Sequence, residues 1–221
     1  MPWKKMWSKN YSLYLVLDRD VCDYGRLWDV LKASVRGGVD IVQLRDKRGS
    51  AREILEFSEK AIKFLRGRVP FIINDRVDLA LAARADGVHL GQDDIPVAVG
   101  RKILGRKALI GVSCQRLEHL RSALRNGADY VGFGSIFKTK TKPHRHPMSL
   151  ALLEKAVMAS KIPLFAIGGI NSENLKQIDV RGVHHVAVCR TICLADNVEK
   201  MTRDLKERLA WSSASTIYKR R

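Results

Sequence analysis

The chain has 221 residues, a length that fits one domain and is sufficient to bury a substantial core. Hydrophobic residues make up 46% and charged residues 29%, which argues against intrinsic disorder, and no apolar run approaches the roughly 18 residues of a membrane-spanning helix. The formal net charge of +17 is compatible with binding of nucleic acid, acidic membranes or anionic substrates, and it does not choose among these classes.

Residues 1–11 form a basic N-terminal extension without the apolar segment of a signal peptide. The apolar run that follows, Leu13–Leu17, is shorter than such a segment and is more typical of a buried strand. We therefore expect a cytoplasmic protein. The four cysteines form no CxxC pair, so we expect reduced and mostly buried thiols at Cys22, Cys114, Cys189 and Cys193.

Short runs rich in Val, Ile and Leu alternate with amphipathic helical segments along the whole chain. The predicted strands are Ser12–Asp18, Asp40–Leu44, Pro70–Ile73, Gly87–Leu90, Ala108–Val112, Tyr130–Phe133, Pro163–Ile167 and His184–Val188. The predicted helices are Asp29–Arg36, Arg52–Arg66, Val77–Ala83, Pro96–Leu104, Leu117–Asn126, Leu150–Ala159, Asn174–Ile178 and Asn197–Trp211. This alternation indicates βαβ units on a parallel sheet.

Eight strands that are each followed by a helix predict an α/β fold, a closed (β/α)8 TIM barrel that forms a single domain over residues 1–221. The main alternative is an open, doubly wound sheet, which usually carries a glycine-rich fingerprint in its first strand-to-helix turn. Residues 18–25 contain no GxGxxG sequence, so the barrel is favoured. The polar residues 212–221 are expected to form a flexible tail.

Polar side chains follow the second predicted strand, at the barrel end where catalytic residues lie. Gln43 and Arg45 share the inward face by the period-two rule, and Lys47 follows in the loop. Two cations and an amide at this spacing suit a polyanion such as a phosphate ester. The alternative is a surface salt bridge with Asp46.

Carboxylates follow the third and fourth predicted strands. Asn74 and Asp75 come after the third strand, and Asp94 comes after the fourth, so both carboxylates lie on neighbouring loops at the same end of the barrel. Mg²⁺ binds one or two protein carboxylates and completes its shell with phosphate oxygens and water. We therefore predict a Mg²⁺ site at Asp75 and Asp94, and the alternative is that both residues are helix N-caps.

The remaining loops offer hydroxyls, cations and glycines. Ser113 follows the fifth strand and either binds phosphate or caps a helix. The loop after the sixth strand contains Thr139, Thr141 and Lys142, a density of donors that suits a polyanion, with nucleic acid as the rival ligand. The next two loops, with the start of the last helix, suit a phosphate cradle formed by Gly168, Gly169, Cys189 and Arg190. Two separate anion sites are thus predicted.

Eight segments of this chain together resemble the thiamine-phosphate synthase family, in family order from about residue 12 to residue 195. The segments are Leu13–Val16, Val42–Lys47, Ile72–Asp78, Ala85–Asp94, Ile110–Ser113, Ala128–Gly134, Thr139–Lys142 and Ala166–Ile170. The resemblance implies condensation of hydroxymethylpyrimidine diphosphate with thiazole phosphate, which gives thiamine monophosphate and pyrophosphate. It implies Mg²⁺ as cofactor and small-molecule substrates as the binding partners, and a homo-oligomer is compatible with it.

The resemblance also assigns roles to the candidate residues. The pyrimidine diphosphate would be held by Gln43, Arg45, Lys47, Asn74, Ser113 and Lys142, and its Mg²⁺ by Asp75 and Asp94. The thiazole phosphate would be held by Thr139, Thr141, Gly169 and the Cys189–Arg190 turn, beside Gly168 of the predicted cradle. The catalytic residues would be Arg45, Lys47, Ser113 and Lys142, three of which would stabilise the charge on the leaving pyrophosphate.

Two alternatives compete with the synthase hypothesis. The thiazole tautomerase branch of the same superfamily lacks the carboxylate pair and carries a histidine in the Gly-Phe-Gly-x loop, where this chain has Ser135. A basic, non-catalytic barrel would instead bind nucleic acid through Lys138–Arg145 and Lys219–Arg221. The chain also departs from the family pattern at Ser135, Lys138, Pro143–Pro147 and Arg190.

Overall fold

Eight parallel strands close into a barrel in the computed structural model, which describes residues 11–141, 146–179 and 182–218. The strands are β1 (Leu13–Asp18), β2 (Ile41–Arg45), β3 (Phe71–Asn74), β4 (Gly87–Leu90), β5 (Leu109–Cys114), β6 (Tyr130–Phe133), β7 (Leu164–Ile167) and β8 (Val186–Val188). Each strand pairs with its neighbours in sequence, and β8 pairs with β1 to close the ring. The predicted TIM barrel is confirmed.

Helices separate the strands and cover the barrel. They are α1 (Tyr24–Arg36), α2 (Ala51–Leu65), α3 (Val77–Ala82), α4 (Val97–Leu104), α5 (Leu117–Arg125), α6 (Leu150–Ala159), α7 (Leu175–Asp179), α8 (Arg190–Cys193) and α9 (Val198–Tyr218). Within the described ranges, no helix combines the length and the apolar character that crossing a bilayer requires.

Two helix boundaries differ from the prediction by more than one residue. Helix α1 begins before the predicted start at Asp29, because the Asp23 side chain caps it by accepting a hydrogen bond from the Arg26 amide at 2.8 Å. Helix α9 continues past the predicted end at Trp211 to Tyr218, so part of the predicted tail is helical.

The prediction that the turn after β8 opens the last helix is wrong. The short helix α8 starts there, and it ends at Cys193 before α9 begins. The side chain of Asn197 accepts a hydrogen bond from the Lys200 amide at 2.9 Å and so caps α9 separately.

Alternating side chains of the strands build two cores. On β2, Val42 and Leu44 point outward and join the large core between the barrel and its helices, whereas Ile41 points into the barrel. The barrel interior is filled by Tyr14, Val16, Ile41, Ile72, Leu109, Tyr130, Phe165 and Ala187. Because this interior is packed rather than open, a ligand can enter only above it, at the carboxyl ends of the strands.

At the opposite end of the barrel, where the strands begin, three aspartate side chains accept hydrogen bonds from the backbone of a neighbouring strand. The Asp40 side chain accepts hydrogen bonds from the Ser12 and Leu13 amides, both at 2.8 Å. Asp86 accepts one from the Phe71 amide at 2.8 Å, and Asp129 accepts one from the Ile110 amide at 2.8 Å. Each of these aspartates directly precedes β2, β4 or β6 and holds the start of the strand before it. We call these three residues the carboxylate clasps.

Candidate active site

A chain of hydrogen-bonded side chains forms the floor of a cavity at the carboxyl ends of the strands. Gln43 Nε2 donates to the Tyr14 hydroxyl at 2.8 Å, and this hydroxyl lies 2.9 Å from that of Tyr130. His89 joins them, with Nδ1 3.3 Å from the Tyr130 hydroxyl and Nε2 3.0 Å from Ser113 Oγ. Burial raises the pKa of both tyrosines, so the floor presents neutral hydroxyls.

Only two of these floor residues, Gln43 and Ser113, were predicted from the sequence. Tyr14, His89 and Tyr130 carry the rest of the network. The alternation of inward and outward side chains along each strand could have indicated them. Tyr14 and Gln43, for example, occupy inward positions on the adjacent strands β1 and β2. Ser113 contacts His89 and does not cap a helix, because α5 is preceded by Arg116 without a side-chain cap.

The cavity above this floor has a volume of about 290 Å³, and most of the predicted site residues line it. They are Gln43, Arg45, Asn74, Ser113, Thr139, Thr141, Gly168, Gly169, Cys189 and Arg190. Arg45 of the first predicted anion site and the glycine pair of the second therefore line one cavity, whereas Lys47, Asp75 and Asp94 are not among its lining residues. Predicted Lys142 lies outside the described residues, as do the neighbouring residues 143–145.

The cations after β2 are paired with carboxylates other than Asp46, the partner that the alternative interpretation predicted. Arg45 Nη1 donates to both oxygens of Asp18, at 2.9 and 2.8 Å, and Lys47 Nζ lies 2.9 Å from Asp75 Oδ2. Asp46 instead accepts hydrogen bonds from the Tyr24 hydroxyl and from two loop amides. The salt-bridge alternative with Asp46 is therefore wrong, and Arg45 remains directed towards the cavity that it lines.

The predicted metal ligands Asp75 and Asp94 lie together, and their carboxyl groups form a hydrogen bond with each other. Burial, the hydrogen bond to Asp75 and the charge of Asp75 raise the pKa of Asp94. Burial would also raise the pKa of Asp75, but the Lys47 ammonium and the hydrogen bond from Asp94 outweigh it and lower this pKa. Two carboxyl groups this close together suit a divalent cation, because Mg²⁺ binds one or two protein carboxylates.

The observed helix starts show that Asp75 and Asp94 do not cap helices. Helix α3 is preceded by Arg76 and α4 by Pro96, and neither has a side-chain cap, so the N-cap alternative is wrong. Asp75 also has a φ of 62°, an unfavourable conformation for a residue with a side chain, and its amide donates to the His89 carbonyl at 2.9 Å.

The described residues offer fewer ligands than a closed metal site needs. Across residues 11–141, 146–179 and 182–218, no group of three or more His, Cys, Asp or Glu side chains is arranged to hold a metal ion. A cation at Asp75 and Asp94 would therefore depend on oxygen atoms of a ligand or of water. Mg²⁺ commonly binds in this way.

Unsatisfied donors support a polar ligand in the cavity. Asn74 Nδ2 and Gln115 Nε2 are buried, line the cavity and have no hydrogen-bond partner among the described residues. Lys138, Lys140 and Arg190 also line it, and no described residue forms an ion pair with them. A buried donor without a partner is costly, so an anionic ligand with many oxygen atoms fits this lining.

The loop after β6 rests on the glycine pair after β7. The Phe137 amide donates to the Gly168 carbonyl at 2.9 Å, and the Thr141 amide donates to Thr139 Oγ1 at 3.3 Å. A Cβ atom at Gly169, whose φ is 65°, would lie 2.5 Å from the Lys138 carbonyl oxygen. The glycine therefore allows the two loops to approach each other closely.

We expect Gly169→Ala to act through this contact, because the added methyl group would push the β6 loop and its threonines away from the cavity. The variant should lose about 1–2 kcal/mol of stability and should bind a phosphate monoester more weakly. Urea unfolding and phosphate-monoester titration measure the two effects. Gly67→Ala is the matched control, since Gly67 has a φ of 68° with no atom within 4 Å of the added Cβ. An equal loss of affinity in both variants would contradict the loop explanation.

Residues 13–192 match the model of a protein family described as thiamine monophosphate synthase. The chain belongs to this family. The resemblance found in the sequence is thus confirmed, and the family match includes every predicted site residue.

Relatives of the family match nearly the whole chain. A thiamine-phosphate synthase from Syntrophomonas wolfei is 43% identical over 204 residues, which are 91% of this chain and 98% of the relative. One from Clostridium tetani is 41% identical over 204 residues, 90% of this chain and 97% of the relative. The solved thiamine phosphate pyrophosphorylase from Pyrococcus furiosus is 34% identical, covers 92% of this chain and 97% of its own, and has a TM-score of 0.82.

Proposed function

We propose that this protein is a thiamine-phosphate synthase, a transferase that joins hydroxymethylpyrimidine diphosphate to thiazole phosphate and releases pyrophosphate. Family membership and relatives of that name at about 40% identity support the assignment. The observation that carries it is the single cavity lined both by Arg45 and by the Gly168–Gly169 pair. One cavity with two anion-binding regions suits a reaction between two phosphorylated molecules.

The proposed reaction exchanges one bond for another at the methylene carbon of the pyrimidine. The carbon–oxygen bond to the diphosphate breaks, and its electron pair leaves with pyrophosphate. The lone pair of the thiazole nitrogen forms the new carbon–nitrogen bond. No proton has to move in this step, so the main task of the protein is to stabilise the negative charge of the leaving group.

Cationic side chains would perform this task. Arg45 and Lys47 would donate to the diphosphate oxygens, together with the predicted Lys142, and the unsatisfied Asn74 amide would add a further donor. Asp75 and Asp94 would hold Mg²⁺, which supplies neutralisation of the diphosphate charge when bound. Lys47 is already within 2.9 Å of Asp75, so one ammonium group would serve both the carboxylate and the diphosphate.

The floor of the cavity would orient the pyrimidine. Gln43 and Ser113 offer an amide and a hydroxyl, and each is fixed by a hydrogen bond to Tyr14 or His89. Tyr130 and the other aromatic side chains beneath them are fully buried and exclude water from below. At the other region, Thr139, Thr141 and the glycine pair would bind the phosphate of the thiazole, as the resemblance implies.

The two alternatives are less well supported. The relatives named above are synthases, and the carboxylate pair that the tautomerase branch lacks is present here. The basic segment that was considered for nucleic acid begins with Lys138 and Lys140, which line the cavity. Their position suits small anionic substrates.

The assignment is tested by incubating the purified protein with both substrates and Mg²⁺. We expect thiamine monophosphate and one equivalent of pyrophosphate, measured by mass spectrometry and by a phosphate assay after pyrophosphatase treatment. Omission of either substrate should abolish both products. Conversion of the thiazole phosphate alone into an isomer, without pyrophosphate, would instead indicate a tautomerase.

Unpaired cations at the cavity should speed the capture of anionic substrates at low salt. We expect Lys138→Ala/Lys140→Ala to lower kcat/KM severalfold at low ionic strength and much less at about 0.15 M salt, where screening confines the effect to roughly 8 Å. The control is Lys102→Ala/Lys107→Ala, two exposed lysines of α4 and the loop after it. Equal salt dependence in both double variants would show that these cavity lysines have no special role in capture.

A further inference from the structure

Asp18 is a buried carboxylate at the mouth of the barrel that no role assigned above uses. It is the last residue of β1, and its side chain has no exposed surface. Its register partner on β2 is Arg45, whose Nη1 donates to both of its oxygens at 2.9 and 2.8 Å. The Asp20 amide donates to Asp18 Oδ1 at 3.0 Å, which fixes the carboxylate from the other side.

The cost of burying this carboxylate points to a function. An ionised carboxylate is expensive to remove from water, and a buried ion pair is often no more stable than an apolar pair of similar size. The ion pair also lies at the end of the barrel where the site is built, and not at the amino-terminal end that the carboxylate clasps hold together. The Arg45 side chain is 12% exposed and lines the cavity.

The hydrogen bonds of Arg45 are distributed unevenly over its guanidinium group. Nη1 donates to Asp18 and, at 3.2 Å, to the more exposed Asp20. A guanidinium group has five N–H donors, and the three on Nε and Nη2 have no hydrogen-bond partner among the described residues. One edge of the group is therefore anchored, and the donors that remain form the fork that binds phosphate in a bidentate manner.

We propose that Asp18 is a positioning residue that anchors one nitrogen of Arg45 so that the remaining donors of the guanidinium face the diphosphate. This inference rests on the proposed function, in which Arg45 binds the diphosphate. Without Asp18 the long arginine side chain would populate several rotamers, and binding would have to restrict it. Asp18 also lines the cavity, but its side chain has no exposed surface and both of its oxygens accept hydrogen bonds from Arg45, so it would act on the leaving group through Arg45.

A double-mutant cycle tests the inference, because an effect that passes through Arg45 must vanish when Arg45 is absent. We expect Asp18→Asn to lower kcat/KM about tenfold, and to weaken binding of inorganic pyrophosphate with Mg²⁺ by a similar factor. In the Arg45→Ala background the same substitution should change either value less than about twofold. Asp20→Asn is the control, since it removes the longer, more exposed contact, and it should cost less than about threefold.

A second variant keeps the test decisive if Asp18→Asn does not fold. Arg45→Lys preserves the ion pair with Asp18 but lacks the fork, so we expect it to fold and to bind pyrophosphate about tenfold more weakly. Unchanged pyrophosphate affinity in Arg45→Lys, or an undiminished effect of Asp18→Asn in the Arg45→Ala background, would overturn the inference. Pyrophosphate binding is measured by calorimetry and does not require coupling. Absence of thiamine monophosphate with the wild-type protein would refute the proposed function and leave the positioning test intact.

Discussion

Asp94→Ala should lower the rate of coupling by about a hundredfold or more, and Asp75→Ala should have an effect of similar size. The two carboxyl groups form a hydrogen bond with each other, and a divalent cation held by them would supply neutralisation of the diphosphate charge. Removal of either carboxylate would take away one of the two proposed protein ligands of that cation. The expected cost in stability is small, about 1 kcal/mol for the lost hydrogen bond from the Gly91 amide to Asp94.

The measurement is kcat as a function of Mg²⁺ concentration, with urea unfolding of each variant. Asp93→Ala is the matched control, because Asp93 adjoins Asp94 in the same loop and is exposed. It should retain wild-type activity and the wild-type dependence on Mg²⁺. If Asp75→Ala and Asp94→Ala both remained within a few-fold of wild type, the metal assignment would be wrong.

A large loss of stability is expected from Gly111→Ala, inside the barrel. A Cβ atom at this position would lie 2.1 Å from Cζ of Tyr130 and 2.5 Å from its hydroxyl. Tyr130 is fully buried and cannot move aside without disturbing Tyr14, His89 and Phe165 around it. Overpacking of this kind costs about 3 kcal/mol, which corresponds to a fall in Tm of about 10 °C for a chain of this size.

Gly111→Ala should also lower the enzymatic activity, because the displaced Tyr130 ring carries the hydroxyl that contacts His89 and Tyr14. The control is Gly100→Ala in α4, where the added Cβ would meet only ordinary contacts at 3.6 Å and beyond. That variant should be as stable as the wild type or more stable by up to about 1 kcal/mol, since alanine favours a helix over glycine. Thermal unfolding of the two variants, side by side, decides the point. Equal Tm values for both would show that the floor tolerates an added methyl group.

The sequence was sufficient to predict the barrel and to bring most of the site residues to one end of it. Period-two alternation on β2 placed Gln43 and Arg45 on the inward face, and the carboxyl ends of parallel strands necessarily meet. The family resemblance supplied what such patterns lack, namely the chemical role of each position. The roles themselves remain predictions for the variants described above.

Contacts between distant elements could not be predicted in the same way. Asp18 ends an apolar strand and shows no motif, and its importance depends on the β1–β2 register that sets it beside Arg45. Gly169 was expected to leave room for a phosphate, whereas the structure shows that it leaves room for the Lys138 carbonyl of another loop. The segment between α8 and α9 contains neither glycine nor proline, the residues that usually mark the end of a helix. The feature of the sequence that indicates a new helix there is Asn197, whose side chain caps α9.

The carboxylate clasps have a consequence for how this protein can change over evolutionary time. Asp40, Asp86 and Asp129 secure neighbouring strands at one pole, while the predicted site residues are gathered at the other pole. A substitution or insertion in a loop at the catalytic pole leaves these fastenings intact. Natural selection can therefore act on the two ends of the barrel separately. Changes in the loops at the catalytic end can alter substrate specificity, while the carboxylate clasps at the other end maintain the fold.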